Sequence, residues 1–417
     1  MKVELSYGKG KLLAELPSET EVIVPTHVPG LEDEYASFVH AVRNPVAARP
    51  LKQMLPASGR VAIVIADGTR PSPSHKLVPW ILEECGLGRE RVVIVNGTGT
   101  HRANTAEELR DMLGSQIADN YHVVNHDAFA DESLRYVGTT AAGCRVMVNR
   151  DYLDAEFKIV TGFIEPHFFA GFSGGPKGVI PGVVGIETVL HLHSAPMISH
   201  PKATWGVLAE NPVQEMICEA ALMTQPHFVV NVTLNREKQI TGVYAGDIIE
   251  AHRLGCAFAH KTAMQPVTNA YDVVVTTNAG YPLDQNLYQA VKGMSAAASI
   301  VREDGAIIVA SECSDGVPEH GNFKSMLEAY DSVERMMKNI ESSTETVHDQ
   351  WQVQVLGLIL RKARVYLVSS LEPEQVTQAF MIPCESVEQA LHMERARQEV
   401  RTVACLPEGP YTIPYLG

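Results

Sequence analysis

The chain has 417 residues, enough for roughly two or three domains whose cores need neither disulfides nor a structural metal. Apolar residues make up 45% and charged residues 20%, with 31 Gly and 24 Pro, which excludes disordered, collagen-like and coiled-coil chains. Lys and Arg number 34 against 49 Asp and Glu, a net charge of −15, so a phosphate-tracking surface for nucleic acid is excluded as well. The seven cysteines are scattered and contain no C-x-x-C, so a disulfide framework or a cysteine-based zinc site is not expected, and a reducing compartment is. The N-terminal segment has no apolar h-region, and no run reaches the roughly 18 apolar residues that cross a bilayer. A cytoplasmic protein without membrane or nucleic-acid partners is expected.

In chain order, short apolar runs predict strands at Val61–Ala66, Val92–Val95, Phe157–Thr161, Val273–Thr276, Ala306–Ala310 and Val365–Val368. Amphipathic patterns between them predict helices at Thr105–Leu113, Asp247–His260, Lys324–Ile340 and Val387–Val400. Continuous Val/Ile-rich strands alternating with helices predict α/β architecture with mainly parallel sheets. A Pro-containing connector at Met264–Ala270 predicts two α/β domains, 1–265 and 270–417, with the last segment able to pack back on the first. The active site is expected in the interdomain cleft, on the loops that follow strands. Asn339–Asp349, rich in Ser, Thr and Glu, reads as an exposed loop or a helix–helix connection.

The first such loop is Asp67-Gly68-Thr69-Arg70-Pro71-Ser72-Pro73-Ser74-His75. Its prolines stiffen the backbone, and Arg70 suits a carboxylate or phosphate, although a surface Asp–Arg pair that fixes the turn fits equally. The second is Asn96-Gly97-Thr98-Gly99-Thr100-His101-Arg102, ahead of a capping box at Thr105 and Glu108. As a dinucleotide fingerprint it lacks the third glycine, and a lone loop His is more often a solvated side chain than a catalyst.

The segment Gly162–Gly178 carries Phe163, Phe168, Phe169 and Phe172, a His at 167 and a Lys at 177 among glycines. It is not a Walker A motif, because Pro176 and Gly178 flank the Lys where that motif has Gly and Ser/Thr. An apolar wall around Lys177 makes it a candidate covalent attachment point. His191-Leu192-His193-Ser194 follows an apolar helical run, and its i, i+2 spacing is poor for chelation, so no metal site of standard type is spelled out. If the chain is helical from Asn286, then Tyr288, Gln289 and Lys292 share a face that offers an aromatic ring, an amide and a cation to one ligand; a snorkelling Lys is the plain alternative. His348-Asp349-Gln350-Trp351 stands out because the chain has only three Trp.

Jointly, DGTRPSPSH, GTGTHR, GFIEPHFFAGFSGGPKGVIPG, HLHS, GYPLDQNLYQAVKGM and DQW resemble, in order and over nearly the whole chain, the nickel-dependent lactate racemase family of 2-hydroxyacid racemases and epimerases. The resemblance implies a nickel ion held in a pyridinium-3,5-bisthiocarboxylic acid mononucleotide. It implies Lys177 as the tether of that cofactor, His193 as the single protein ligand of nickel, and His101 and His167 as the acid/base pair. Asp67, Gly68, Thr69, Arg70, Tyr288, Gln289 and Lys292 correspond to cofactor-binding positions, and Arg70, Lys292, Gln289, Trp351 and Thr100 to substrate-binding ones. Cofactor-maturation enzymes are the implied protein partners. The implied reaction removes hydride from Cα and a proton from the hydroxyl of a 2-hydroxyacid, then returns both to give the other stereoisomer through a 2-oxoacid.

Two departures bear on detail. Thr100 replaces the aromatic residue that precedes the first catalytic His in the lactate enzymes, which leaves room for a malate-like diacid, a short aliphatic hydroxyacid or a sugar acid. Pro176 and Gly178 replace Arg and Ser around the tethering Lys. Two other readings stay open on the residues alone: a Lys-dependent nucleotide or phosphate enzyme built on Lys177, and a two-domain organic-acid binding protein in which Arg70 and Lys292 only hold a carboxylate.

Overall fold

The protein is described by a computed structural model covering residues 1–319 and 321–417. The chain divides into two units. One is formed by His27–Leu192 and Pro201–His260, the other by Met1–Thr26, His193–His200 and Lys261–Gly417.

The first unit is built on a six-stranded sheet in the spatial order Ile240–Gly246, Phe228–Leu234, Phe157–Phe163, Val61–Ala66, Val92–Gly97, His122–Asn125. Every pairing is parallel except that of Phe228–Leu234 with the edge strand Ile240–Gly246. The inner strands are Val/Ile-rich because both faces are covered, and Ile63, Ile65, Ile94, Ile159, Phe163, Phe228 and Val230 pack with Leu77, Ile81 and Leu82 of the helix Ser74–Cys85. From Val61–Ala66 the chain winds outward through Val92–Gly97 to His122–Asn125. It then crosses to Phe157–Phe163 on the other side of its starting strand. That reversal puts a crevice at the carboxyl ends of Val61–Ala66 and Phe157–Phe163.

The second unit holds an all-parallel six-stranded sheet ordered Ile382–Cys384, Ala363–Val368, Val301–Ala310, Tyr271–Thr277, Val403–Leu406, Glu21–Val22. Here the winding reverses at Tyr271–Thr277, whose carboxyl end leads to the helix Leu287–Ala298.

Mainly parallel α/β architecture is thus present in both units, and all six strands expected from sequence lie within observed ones. The division differs from a single cut between 265 and 270. The hairpin Lys2–Tyr7/Gly10–Glu15 places Val3, Leu5 and Ala14 in the core of the second sheet, and Glu21–Val22 extends that sheet beside Val403–Leu406. His193–His200 joins the same unit, where Gln354 Nε2 donates to Ala195 O at 2.9 Å and Ser199 Oγ at 2.7 Å. The final strand Ile413–Leu416 pairs with Met264–Val267, within that unit.

The single helix expected at Lys324–Ile340 is two, Phe323–Glu328 and Val333–Ser342. Ser332 is extended and accepts from Arg335 N at 3.4 Å, so the Asp-Ser pair starts a new helix instead of continuing the old one. Asp247 likewise stays outside Glu250–Ala263, its Oδ1 accepting from Ile249 N and Glu250 N.

Candidate active site

At the switch point of the first unit, Asp67 follows Val61–Ala66 directly and is 4% exposed. His101 Nδ1 lies 2.8 Å from Asp67 Oδ2, Thr69 Oγ1 donates to Asp67 Oδ1 at 2.9 Å, and Arg70 N donates to Asp67 O at 3.0 Å. Burial pushes the Asp67 carboxyl up, but the hydrogen bond and charge of His101, with Arg70 and Thr69, outweigh it and hold the group below its ordinary value. An ionised carboxylate accepts only, so Nδ1 of His101 carries the hydrogen, which in the neutral ring leaves the lone pair on Nε2. The His101 side chain is 47% exposed. Thr100 and Arg70 are half-buried beside it, while Gly68 and Thr69 are exposed.

The loop after Phe157–Phe163 is tied down by its own backbone. Pro166–His167 pairs with Gly171–Phe172, Ser173 N donates to Glu165 O at 2.9 Å, and Ser173 Oγ donates to Phe163 O at 3.0 Å. The His167 ring packs against Phe168 and Phe169, at 5.0 and 4.5 Å between centroids. Ala170 N donates to His167 Nδ1 at 3.3 Å, so the neutral ring carries its hydrogen on Nε2, opposite to His101.

Lys177 sits half-buried on the turn Gly175–Gly178. Beneath the turn, Gly175 N donates to Asn231 Oδ1 at 2.6 Å, and His252 Nε2 donates to Ser173 O at 2.8 Å. Gly175 has φ +53°, and a Cβ there would lie 2.4 Å from Cγ of His252, so no other residue fits the turn as built. Burial drives the His252 imidazole down to about 4 and pushes the neighbouring Cys256 thiol up, so both are neutral supports.

In the second unit, Asn286 caps the helix Leu287–Ala298 by accepting from Gln289 N at 3.0 Å. Tyr288, Gln289 and Lys292 form its half-buried stripe, with Lys292 Nζ donating to Gln289 Oε1 at 2.8 Å. Trp351 Nε1 donates to Tyr288 OH at 3.2 Å, and the His193 ring, 6% exposed as a residue, lies 4.5 Å from the Trp351 ring. His193, Trp351 and Tyr288 therefore form one cluster with Gln289 and Lys292 beside it. Asp67, Arg70, His101, His167 and Lys177 belong to the other unit.

Sequence reasoning did not single out His348 as a site residue, yet its ring meets the edge of Trp351 at 5.4 Å. Gln354, three residues after Trp351 on the same helix face, was also missed, although i, i+3 spacing marks it as a neighbour. Asn104, Asn231 and His252 carry no local signal, because each acts on a segment remote in sequence. Among the described residues, no group of three or more His, Cys, Asp or Glu converges as a metal site, and no helix is long and apolar enough to cross a membrane.

Residues 7–206 match the lactate racemase N-terminal domain family and residues 267–413 the lactate racemase C-terminal domain family. A lactate racemase of Thermoanaerobacterium thermosaccharolyticum is 34% identical over 397 residues, 93% of each chain. One from Lactiplantibacillus plantarum is 33% identical over 416 residues, 98% of each chain. Among solved structures, the lactate racemase apoprotein from Thermoanaerobacterium thermosaccharolyticum superposes with a TM-score of 0.94 at 32% identity, covering 99% of this chain and 100% of that one. A Thermotoga maritima protein, 19% identical with a TM-score of 0.69, covers 94% of this chain and 100% of its own and shares the fold.

Proposed function

The chain belongs to the lactate racemase family of isomerases, and from that premise we propose that it interconverts stereoisomers at C2 of a 2-hydroxyacid with a lysine-tethered nickel-pincer nucleotide. The donor set fits such a group. A metal that meets one imidazole and, among the described residues, no group of converging ligands must bring the rest of its coordination with it, and one amine on a glycine-rich turn suits a covalent attachment. Lys177 would hold the organic part and His193 the metal, with Tyr288, Gln289, Lys292 and the Asp67–Arg70 turn as further contacts. When bound, the group supplies a hydride acceptor for the Cα–H bond, which imidazole is far too weak a base to break as an acid.

What the chain's own residues do is move the hydroxyl proton and hold the acid. His101 Nε2 takes the proton, and Asp67 fixes the tautomer and stabilises the resulting imidazolium. His167 serves as the acid in its imidazolium form, giving a proton to oxygen as the opposite stereoisomer forms and ending neutral; the return direction exchanges the two roles. Arg70 clamps the carboxylate and Lys292 steadies negative charge on oxygen. The observation that carries this reading is a pair of histidines on the loops after Val92–Gly97 and Phe157–Phe163, the two strands that flank Val61–Ala66 in one sheet, with the first ring held on the Asp67 carboxylate. Thr100, where the lactate enzymes have an aromatic residue, favours a substrate larger or more polar than lactate.

The test is protein matured with its cofactor-inserting enzymes and assayed on a chiral panel of 2-hydroxyacids that includes lactate. Expected are an adduct on Lys177 by intact mass, about one nickel per chain as the one-tether, one-His site implies, and interconversion that His101→Gln or His167→Gln abolishes while the adduct stays. Full activity in either variant, or a matured sample without nickel and adduct, overturns the proposal; lactate as the best substrate overturns the Thr100 argument alone.

A further inference from the structure

Asn96 and Asn125 end adjacent parallel strands in register, and both amides turn toward Asn104. Asn96 Nδ2 donates to Asn125 Oδ1 at 2.8 Å and to Asn104 Oδ1 at 2.9 Å. Asn125 grips the Asn104 backbone from both sides, Oδ1 accepting from Asn104 N at 3.2 Å and Nδ2 donating to Asn104 O at 2.9 Å. Asn104 Oδ1 also accepts from Gly68 N at 3.2 Å, and its Nδ2 donates to Glu108 Oε2 at 3.0 Å. Gly68 adjoins Asp67, and Asn104 lies three residues after His101.

We infer that Asn104 is a positioning residue that ties the Asp67 turn to the His101 turn and so keeps the His101 Nδ1–H on Asp67. The inference rests on the reading of His101 as the proton acceptor. An amide is the side chain that does this work: its oxygen serves two donors, Gly68 N and the Asn96 amide, while its nitrogen serves the Glu108 carboxylate. The charged groups that face the pair are Arg70 and Arg102, the latter paired with Glu108 at 2.6 Å. Neither replaces the tie, because Arg102 is engaged with Glu108 and Arg70 acts on Asp67 through its charge. The approach is close, too: a Cβ on Gly68 would lie 2.7 Å from Asn104 Nδ2.

The experiment is 15N NMR of histidine rings in the full chain without cofactor, with the His101 signals assigned by their loss in His101→Gln. Wild type should show the Nδ1–H tautomer at His101, and Asp67→Asn should lose that preference. Asn104→Leu should lose it as well, while Asn104→Asp, which keeps the oxygen for Gly68 N, should keep it. Gly68→Ala, which pushes Asn104 away without removing it, should behave like Asn104→Leu and covers the case in which that variant fails to fold. In matured enzyme the leucine variant should lose about 10- to 100-fold in kcat. A wild-type tautomer in either folded Asn104→Leu or Gly68→Ala overturns the inference, as does its retention in Asp67→Asn. If matured wild type turns over no hydroxyacid, the proposed function fails, and the tautomer result still decides the role of Asn104.

Discussion

His252 shows how a residue outside the chemistry shapes the protein's response to pH. It is buried, donates to Ser173 O, and its folded value of about 4 lies below the ordinary 6.5. The unfolded chain therefore binds a proton below pH 6.5 that the folded chain refuses until about pH 4. Stability is fully present above the unfolded value and is lost as pH falls through that window, about 2 kcal/mol between pH 7 and pH 5 from this group. Denaturant unfolding at the two pH values should show the loss, and His252→Gln should flatten much of it; an equal slope in wild type and variant would refute the assignment. His75, His126 and His227 are shifted the same way by burial and add to the slope. In the sequence, His101, His167, Lys177 and His193 could be singled out as candidates because each sits in a long motif beside a strand or helix end. His252 could not, because its partner lies 79 residues away.

The elements that hold the site were legible where burial made them uniform. Val61–Ala66 reads as an unbroken apolar run because both faces of its sheet are covered. The strand Phe228–Leu234 is equally buried, yet Asn231 interrupts its apolar run. That interruption has a purpose: Asn231 is fully buried and its Oδ1 accepts from Gly175 N, fixing the turn that carries Lys177. Asn231→Leu should leave that N–H unpaired at a cost of about 1–3 kcal/mol. The loosened turn should then show faster proteolytic cleavage within 164–178 and a lower fraction of Lys177 adduct after maturation, both read by mass spectrometry. Unchanged cleavage and loading would remove Asn231 from the positioning of Lys177. A second sheet edge, Glu21–Val22 beside Val403–Leu406, escaped the sequence because two residues are too few to show alternation and their partners lie at the far end of the chain.

Across the whole molecule, the net charge of −15 opposes the approach of an anionic hydroxyacid, whereas Arg70 and Lys292 are half-buried cations near which a carboxylate or phosphate is stabilised. The two effects act over different ranges. Repulsion by the whole surface is long-range and is screened once the Debye length falls to about 10 Å near 0.1 M salt, while contact with a partly buried cation is screened much less. Raising ionic strength from about 0.01 to 0.1 M should therefore increase kcat/KM for an anionic substrate, mainly through the encounter step. Arg70→Gln should lower kcat/KM at every salt concentration without reversing that trend, because it removes the proposed short-range clamp and leaves the long-range field almost as it was. A kcat/KM that falls steadily with added salt in wild type would mean that the local cations govern approach as well as binding, and the overall charge would then have no part in substrate capture.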